Sequence, residues 1–95
     1  MKNLIISPNG VYATQTNPEV IQGRIRNIEV RRPMLIGSNV YYEDYCKQVY
    51  ALLEQEYIPG YTVVETYKQR LNSCRDYVTM SMEASRILWD LQWSM

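Results

Sequence analysis

The side chains able to do chemistry are few and scattered. Cys46 and Cys74 are the two cysteines, Glu43-Asp44 and Glu54/Glu56 the closest carboxylates, and Arg24, Arg26, Arg31 and Arg32 the densest run of cations. The chain contains no His, which removes the commonest general base, every Ser-His or Cys-His nucleophile pair and most zinc sites. Two thiols without a second cysteine pair do not make a metal set, and the four glycines include no phosphate-cradling loop. The carboxylates fall where helix caps and solvated helix faces would put them. The expectation is a non-enzymatic protein with no cofactor and no metal.

Two kinds of binding chemistry remain. Nine Tyr, two Trp, five Met and no Phe make a set whose members pair a large apolar body with a polar or polarisable end, as partner interfaces prefer. Tyr41, Tyr45, Tyr50, Met82, Trp89 and Trp93 are the interface candidates, and the small residues Ser81, Ala84 and Ser85 would let another helix approach closely. The alternative is nucleic acid. Read as a strand, the segment from Val20 puts Arg24 and Arg26 on one face, with Arg31 and Arg32 behind and Tyr12 on a neighbouring hairpin. Arginine plus an aromatic on a small sheet is a common way to hold a single strand.

Charge weighs against the alternative. The net charge is zero, unlike that of a general polyanion binder. The distribution is uneven, however. Residues 1–38 carry five basic and two acidic side chains, +3, and residues 39–95 carry five and eight, −3. Opposite ends suit head-to-tail contacts between copies or docking on a charged partner.

The elements that must position these residues are organised around Thr62 to Trp93, a run without Gly or Pro. Val64, Tyr67, Leu71, Cys74 and Val78 recur at steps of three and four, one face of a helix. Thr62 and Glu65 fit a capping box, so this helix should start at Val63. Unbroken to Trp93 it would be about 45 Å long, against a radius of gyration of about 12–13 Å for a domain of this size. It should therefore break near Thr79–Ser81, or overhang where another chain covers it.

Before it, a helix is expected from about Val40 to Tyr57, with Ser38 or Asn39 as its cap, Glu43 and Asp44 in its first turn and Ile58-Pro59-Gly60 ending it. Tyr42, Tyr45, Cys46, Val49, Leu52 and Leu53 line its apolar face. If the two helices form an antiparallel hairpin turning at Gly60, facing residues should have numbers adding to about 120. Tyr42 then meets Val78, Cys46 meets Cys74, Val49 meets Leu71 and Leu53 meets Tyr67. Cys46 and Cys74 read as two thiols filling a narrow layer rather than as a disulfide.

The first 36 residues read as strands. Asn3–Ser7 and Val11–Thr14 flank Ser7-Pro8-Asn9-Gly10, the preferred residue order of a type I turn. Asn17-Pro18-Glu19 could begin a helical turn, but Ile21, Gly23 and Ile25 alternate with polar residues, then the phase slips to Ile28 and Val30. That pattern predicts further short strands joined by a bulge or turn near Arg26-Asn27 and ended by Pro33, or an extended arm lying on a neighbouring subunit.

The sequence thus predicts one α+β domain: a small N-terminal antiparallel sheet or arm over 1–36, a helix over 39–58, and a long or broken helix over 62–93. The expected role is binding protein chains, as a homo-oligomer or within a larger assembly, without membrane involvement. A cytoplasmic location fits the absence of a signal segment and the expected reduced thiols. A viral or phage setting, as a virion component or an inhibitor of a host complex, is the expectation for a small chain of this kind.

Overall fold

The computed structural model describes residues 3–30 and 39–93. The fold is α+β: a two-stranded antiparallel sheet, β1 (Asn3–Ser7) and β2 (Gly10–Thr14), followed by α1 (Pro18–Val30), α2 (Asn39–Glu56), α3 (Thr62–Asn72) and α4 (Tyr77–Trp93).

The hairpin forms in the predicted register, with Ser7 opposite Gly10 and Ile5 opposite Tyr12. Ser7 Oγ donates to the Gly10 carbonyl and accepts from the Asn9 amide, and no non-Gly residue has a positive φ among the described residues, as a type I turn over Pro8-Asn9 requires. Gly10 itself sits at φ +132°, where a Cβ would lie 2.7 Å from Val63 Cγ2. Glycine there lets the hairpin tip press against the start of α3.

The hairpin is also joined by its backbone to the end of α2. Gln15 N–H donates to the Glu56 carbonyl and Ile58 N–H to the Ala13 carbonyl, both at 2.9 Å, and Thr14 bridges to Tyr57. The chain leaving α2 at Tyr57 therefore runs antiparallel beside the end of β2 through a single bridge, without forming a third strand. Tyr12 and Tyr57, both buried, meet there with ring centroids 5.5 Å apart.

Residues 18–30 correct the sequence reading. They form a helix, not strands. Asn17 caps it, its Oδ1 accepting from the Glu19 amide and its carbonyl from Val20 and Ile21, with Pro18 in the first position, where a missing N–H costs nothing. Ile21, Ile25 and Ile28 fall at i, i+4, i+7 and are all buried. These same residues gave the apparent alternation, and β-branching favours either conformation depending on what the side chains pack against. The expected strand end at Pro33 and the cap at Ser38 lie outside the described residues.

α2 matches its prediction within a residue or two, but Glu43 and Asp44 fall beyond its first turn. Loop residue Gly60 adopts φ +99° and ends the connection into α3. Tyr61, not Thr62, is the N-cap of α3 and makes no side-chain cap bond. Glu65 does reach back, but to the Gly60 amide at 3.3 Å; only half of the predicted capping box forms, displaced along the chain.

The long C-terminal helix is broken at Ser73–Asp76, not at Thr79–Ser81. Ser73 Oγ and Cys74 Sγ each donate to a carbonyl four residues back, Gln69 and Arg70, interactions that compete with helix continuation. Asp76 then caps α4, its Oδ1 accepting from the Thr79 amide at 2.7 Å. That bond holds the Asp76 carboxyl below its ordinary range.

Within α2 and α3 the antiparallel register is visible in cross-links. Asn72 Nδ2 donates to Tyr50 OH, and past the corner Tyr77 OH donates to Glu43 Oε1. Val49, Leu53, Tyr67 and Leu71 are buried as the paired layers require. Val78 is the exception. The corner swings it outward, 45 % exposed, and α4 packs chiefly along α2. The result has a radius of gyration of 12.9 Å, the compactness that an unbroken rod would have prevented.

Candidate functional site: the outer face of α4

Two apolar rows run along α4. The inner row, Ala84, Ile87, Leu88 and Leu91, is fully buried with α2, α1 and α3. Ser81 lies on the same side and satisfies its hydroxyl on the Val78 carbonyl at 2.7 Å. Ser81 and Ala84 do allow another helix to come close, but the neighbour belongs to the same chain: Ser85 Oγ lies 3.1 Å from Tyr45 OH of α2. The three small residues therefore serve the fold, not a partner.

The outer row is Val78, Met82, Trp89 and Trp93, exposed at 45, 63, 58 and 72 %. At 100° per residue they fall within about 60° of the helix circumference, so they make one narrow stripe about 22 Å long. Trp89 and Trp93 hold each other at 5.6 Å between ring centroids, tilted by 60°. Arg86, exposed, and Asp90 flank the stripe on one side. Asp90 accepts from Tyr67 OH, and burial dominates in raising the Tyr67 phenol above its usual range. Arg70, over the Tyr67 ring at 5.9 Å, pairs with Glu83. Behind the stripe, then, the helix is anchored by polar ties to α3 as well as by its inner row.

The other predicted interface residues have different places. Tyr45 is buried, 3 % exposed, and belongs to the core. Tyr50 is half-buried against the core with its hydroxyl used by Asn72. Tyr41 lies in α2, and its side chain is outside the described set. With Tyr12, Tyr57 and Tyr67 also buried, four of the nine tyrosines fill the interior of a chain that has no Phe. Met82, Trp89 and Trp93 are the candidates that reach the surface together.

The arginines are not assembled as expected. Arg24 and Arg26 sit on α1, two residues apart and so on different sides of a helix, not on one strand face. Arg24 is committed to Glu56 Oε1 at 2.8 Å and Gln55 Oε1 at 2.9 Å, and Thr16 holds the other Glu56 oxygen. Its guanidinium staples α1 to the end of α2. Arg31 and Arg32 lie outside the described residues.

The thiols are both free. Cys46 is pushed up to about 11 by burial and, secondarily, by nearby Cys74, and its Sγ faces the Tyr77 carbonyl at 3.8 Å. Burial also raises Cys74. A raised thiol is a poor nucleophile at neutral pH. Among the described residues no group of three or more His, Cys, Asp or Glu side chains could hold a metal ion, and no helix is long and apolar enough to cross a membrane.

A second, smaller apolar surface lies on the hairpin. Leu4, Ile6 and Val11 are 59, 78 and 42 % exposed, and Ile6 and Val11 are directly paired across the strands. A groove of about 510 Å³ runs beside the hairpin tip, lined by Asn9, Thr62, Thr66, Tyr67, Arg70 and Asp90 among others. Within it Tyr67 is tied to Asn9 and Asp90 and carries the Arg70 guanidinium over its ring.

No protein-family model matches this chain, and neither a curated protein nor a solved structure is significantly similar to it.

Proposed function

We propose that the protein acts by binding another protein chain through the outer face of α4, without catalysis. One observation carries this reading: both tryptophans of the chain, with Met82 and Val78, lie exposed along one side of a helix whose opposite side is buried, and the two indoles are in contact. A lone exposed apolar residue is ordinary, but four aligned on one helix side and rich in Trp and Met have the composition of an interaction surface. The hairpin patch is made of Leu, Ile and Val, with less area and less of the amphipathic character that interface anchors have. With Arg24 consumed in the fold, no specific observation favours nucleic acid.

Site-specific photo-crosslinking in cells that naturally make the protein tests this. A benzophenone side chain replacing Trp89 or Trp93 should give a protein adduct of discrete mass, whereas the same group replacing Glu54 on the exposed side of α2 should not. Equal labelling at Glu54, or no protein adduct at either tryptophan position, would sink the reading.

A further inference from the structure

The four residues of the outer row are placed symmetrically along α4. Val78 and Trp93 are equally far from the helix segment at Ser85-Arg86, and so are Met82 and Trp89. An isologous contact demands such a surface, because each residue must meet its opposite number when the patch is turned end for end. We propose that the occupant of this face is a second copy of the chain, its α4 running antiparallel about a two-fold axis beside Ser85 and Arg86. This proposal rests on the reading of α4 as a protein-binding face and names its partner.

Turned end for end, Val78 faces the partner's Trp93 and Met82 faces the partner's Trp89. Each large, flat ring meets a smaller or more deformable side chain, the alternation by which packed layers interdigitate. Each of these contacts occurs twice in the dimer. Two Trp–Trp encounters, which a parallel arrangement would impose at positions 89 and 93, are avoided.

Direction and curvature agree with this. Because the stripe stays within about 60° of the circumference over its length, two such helices crossing at a shallow angle keep all four layers in contact. The area is adequate as well. The exposed fractions of two Trp, one Met and one Val amount to about 500 Å² per copy, or about 1,000 Å² for the pair, the lower end of what a specific interface needs. The dimer is accordingly expected to be reversible, populated at micromolar concentration and above.

Electrostatics opposes it only locally. The chain has no net charge, so two copies meet without long-range repulsion. The axis does set the two exposed Arg86 side chains near each other, at a rim where water and salt screen their repulsion and where Asp90 lies one turn further along each helix.

The test uses the whole chain. Light scattering from about 1 to about 300 µM brackets the concentrations at which an interface of this size assembles. The wild type should pass from 11.2 kDa towards twice that mass, while Met82→Glu stays monomeric throughout. Circular dichroism should give the two proteins the same helix content, as expected for a side chain that is 63 % exposed. Trp93→Lys provides an independent second disruption should Met82→Glu fold poorly. Spin labels attached in a Cys74→Ser background should then give a shorter distance between copies for Arg86→Cys than for Val78→Cys.

The outcomes separate cleanly. A wild type that is monomeric over the whole range overturns the second copy as occupant; the binding face then stands or falls on whether Trp89 crosslinks a chain of different mass. A dimer that survives both Met82→Glu and Trp93→Lys overturns the α4 face itself, and with it the proposed function. Equal label distances at positions 78 and 86 mean a parallel pair and overturn the antiparallel geometry.

Discussion

The inner and outer rows of α4 are both apolar, yet one is sealed and the other is open. The inner row is Ala84, Ile87, Leu88 and Leu91, all at 0 % exposure. The outer row is built from Trp, Met and Val. The difference is one of size and shape more than of hydrophobicity. Small Ala84 and Ser81 bring α4 close to α2, where branched aliphatics pack densely, and an indole on that side would hold the helices apart. Large amphipathic rings are left to the side where nothing among the described residues limits their volume. The row a helix turns inward is thus selected by fit, and apolar character alone does not reveal the direction.

The comparison can be broken most sharply on the inner row. Leu88→Ala should cost about 2–5 kcal/mol, transfer loss plus the cavity it leaves, read from the urea midpoint; a cost below about 1 kcal/mol, the range of a partly exposed site, would mean that the inner row is looser than drawn. Next in size is the hairpin contact with α3. Gly10→Ala forces a side chain into a positive φ and against Val63 Cγ2, for an expected loss of about 2 kcal/mol, checked by the same unfolding curve. Asp76→Ala removes the cap that starts α4 after the corner and should cost about 1 kcal/mol; Asp76→Asn, which retains an acceptor, should recover most of it.

A smaller effect concerns pH. The Cys46 thiol is raised from 9.0 to about 11 in the folded chain. The unfolded chain therefore gives up this proton first as pH rises. The stabilisation is complete below pH 9.0 and is lost progressively on the way to about 11. Tyr57 and Tyr67, both raised chiefly by burial, extend the decline to higher pH. Cys46→Ala should flatten the first part of the profile, as followed by urea midpoints across this range. The smallest effect belongs to the outer row: at a concentration below that of any self-association, Trp89→Ala should move the unfolding free energy by no more than about 0.5 kcal/mol. The contrast with Leu88, one residue away, is the sharpest statement of the two faces.

Local signals were legible where they coincided with turn and cap chemistry. Ser7-Pro8-Asn9-Gly10 announced the hairpin, and Ile58-Pro59-Gly60 announced the end of α2. Asn17-Pro18-Glu19 was an equally sound helix start, but the β-branched residues behind it outweighed it. Ile21, Ile25 and Ile28 fit both periods over so short a span, and what settles the matter is the buried surface of α2 and α4 beneath them, a tertiary fact. The Ser73–Asp76 corner carries neither Gly nor Pro; it is made by side chains bonding back to the helix, with Asp76 restarting it. For the site, Trp89 and Trp93 were recognisable as excess apolar surface. That Tyr45 faces inward was legible in its place on the apolar face of α2, against its choice as an interface candidate; that Arg24 is tied to Glu56 depends on a neighbour 32 residues distant and leaves no local trace.

The backbone bonds between β2 and residues 56–58 set an order of events during synthesis. The hairpin is complete by Thr14, but the bridging segment that lies beside it, with Tyr57 to cover Tyr12, arrives about forty residues later, about 2–8 s at ordinary elongation rates. During that interval Ile5 and Tyr12 have no permanent neighbours. An isolated two-stranded hairpin is marginal in water, so the first structure to be spelled out is among the last to become secure. Pausing a ribosome before Tyr57 has emerged should leave the N-terminal strands open to proteolysis, and release past that point should close them.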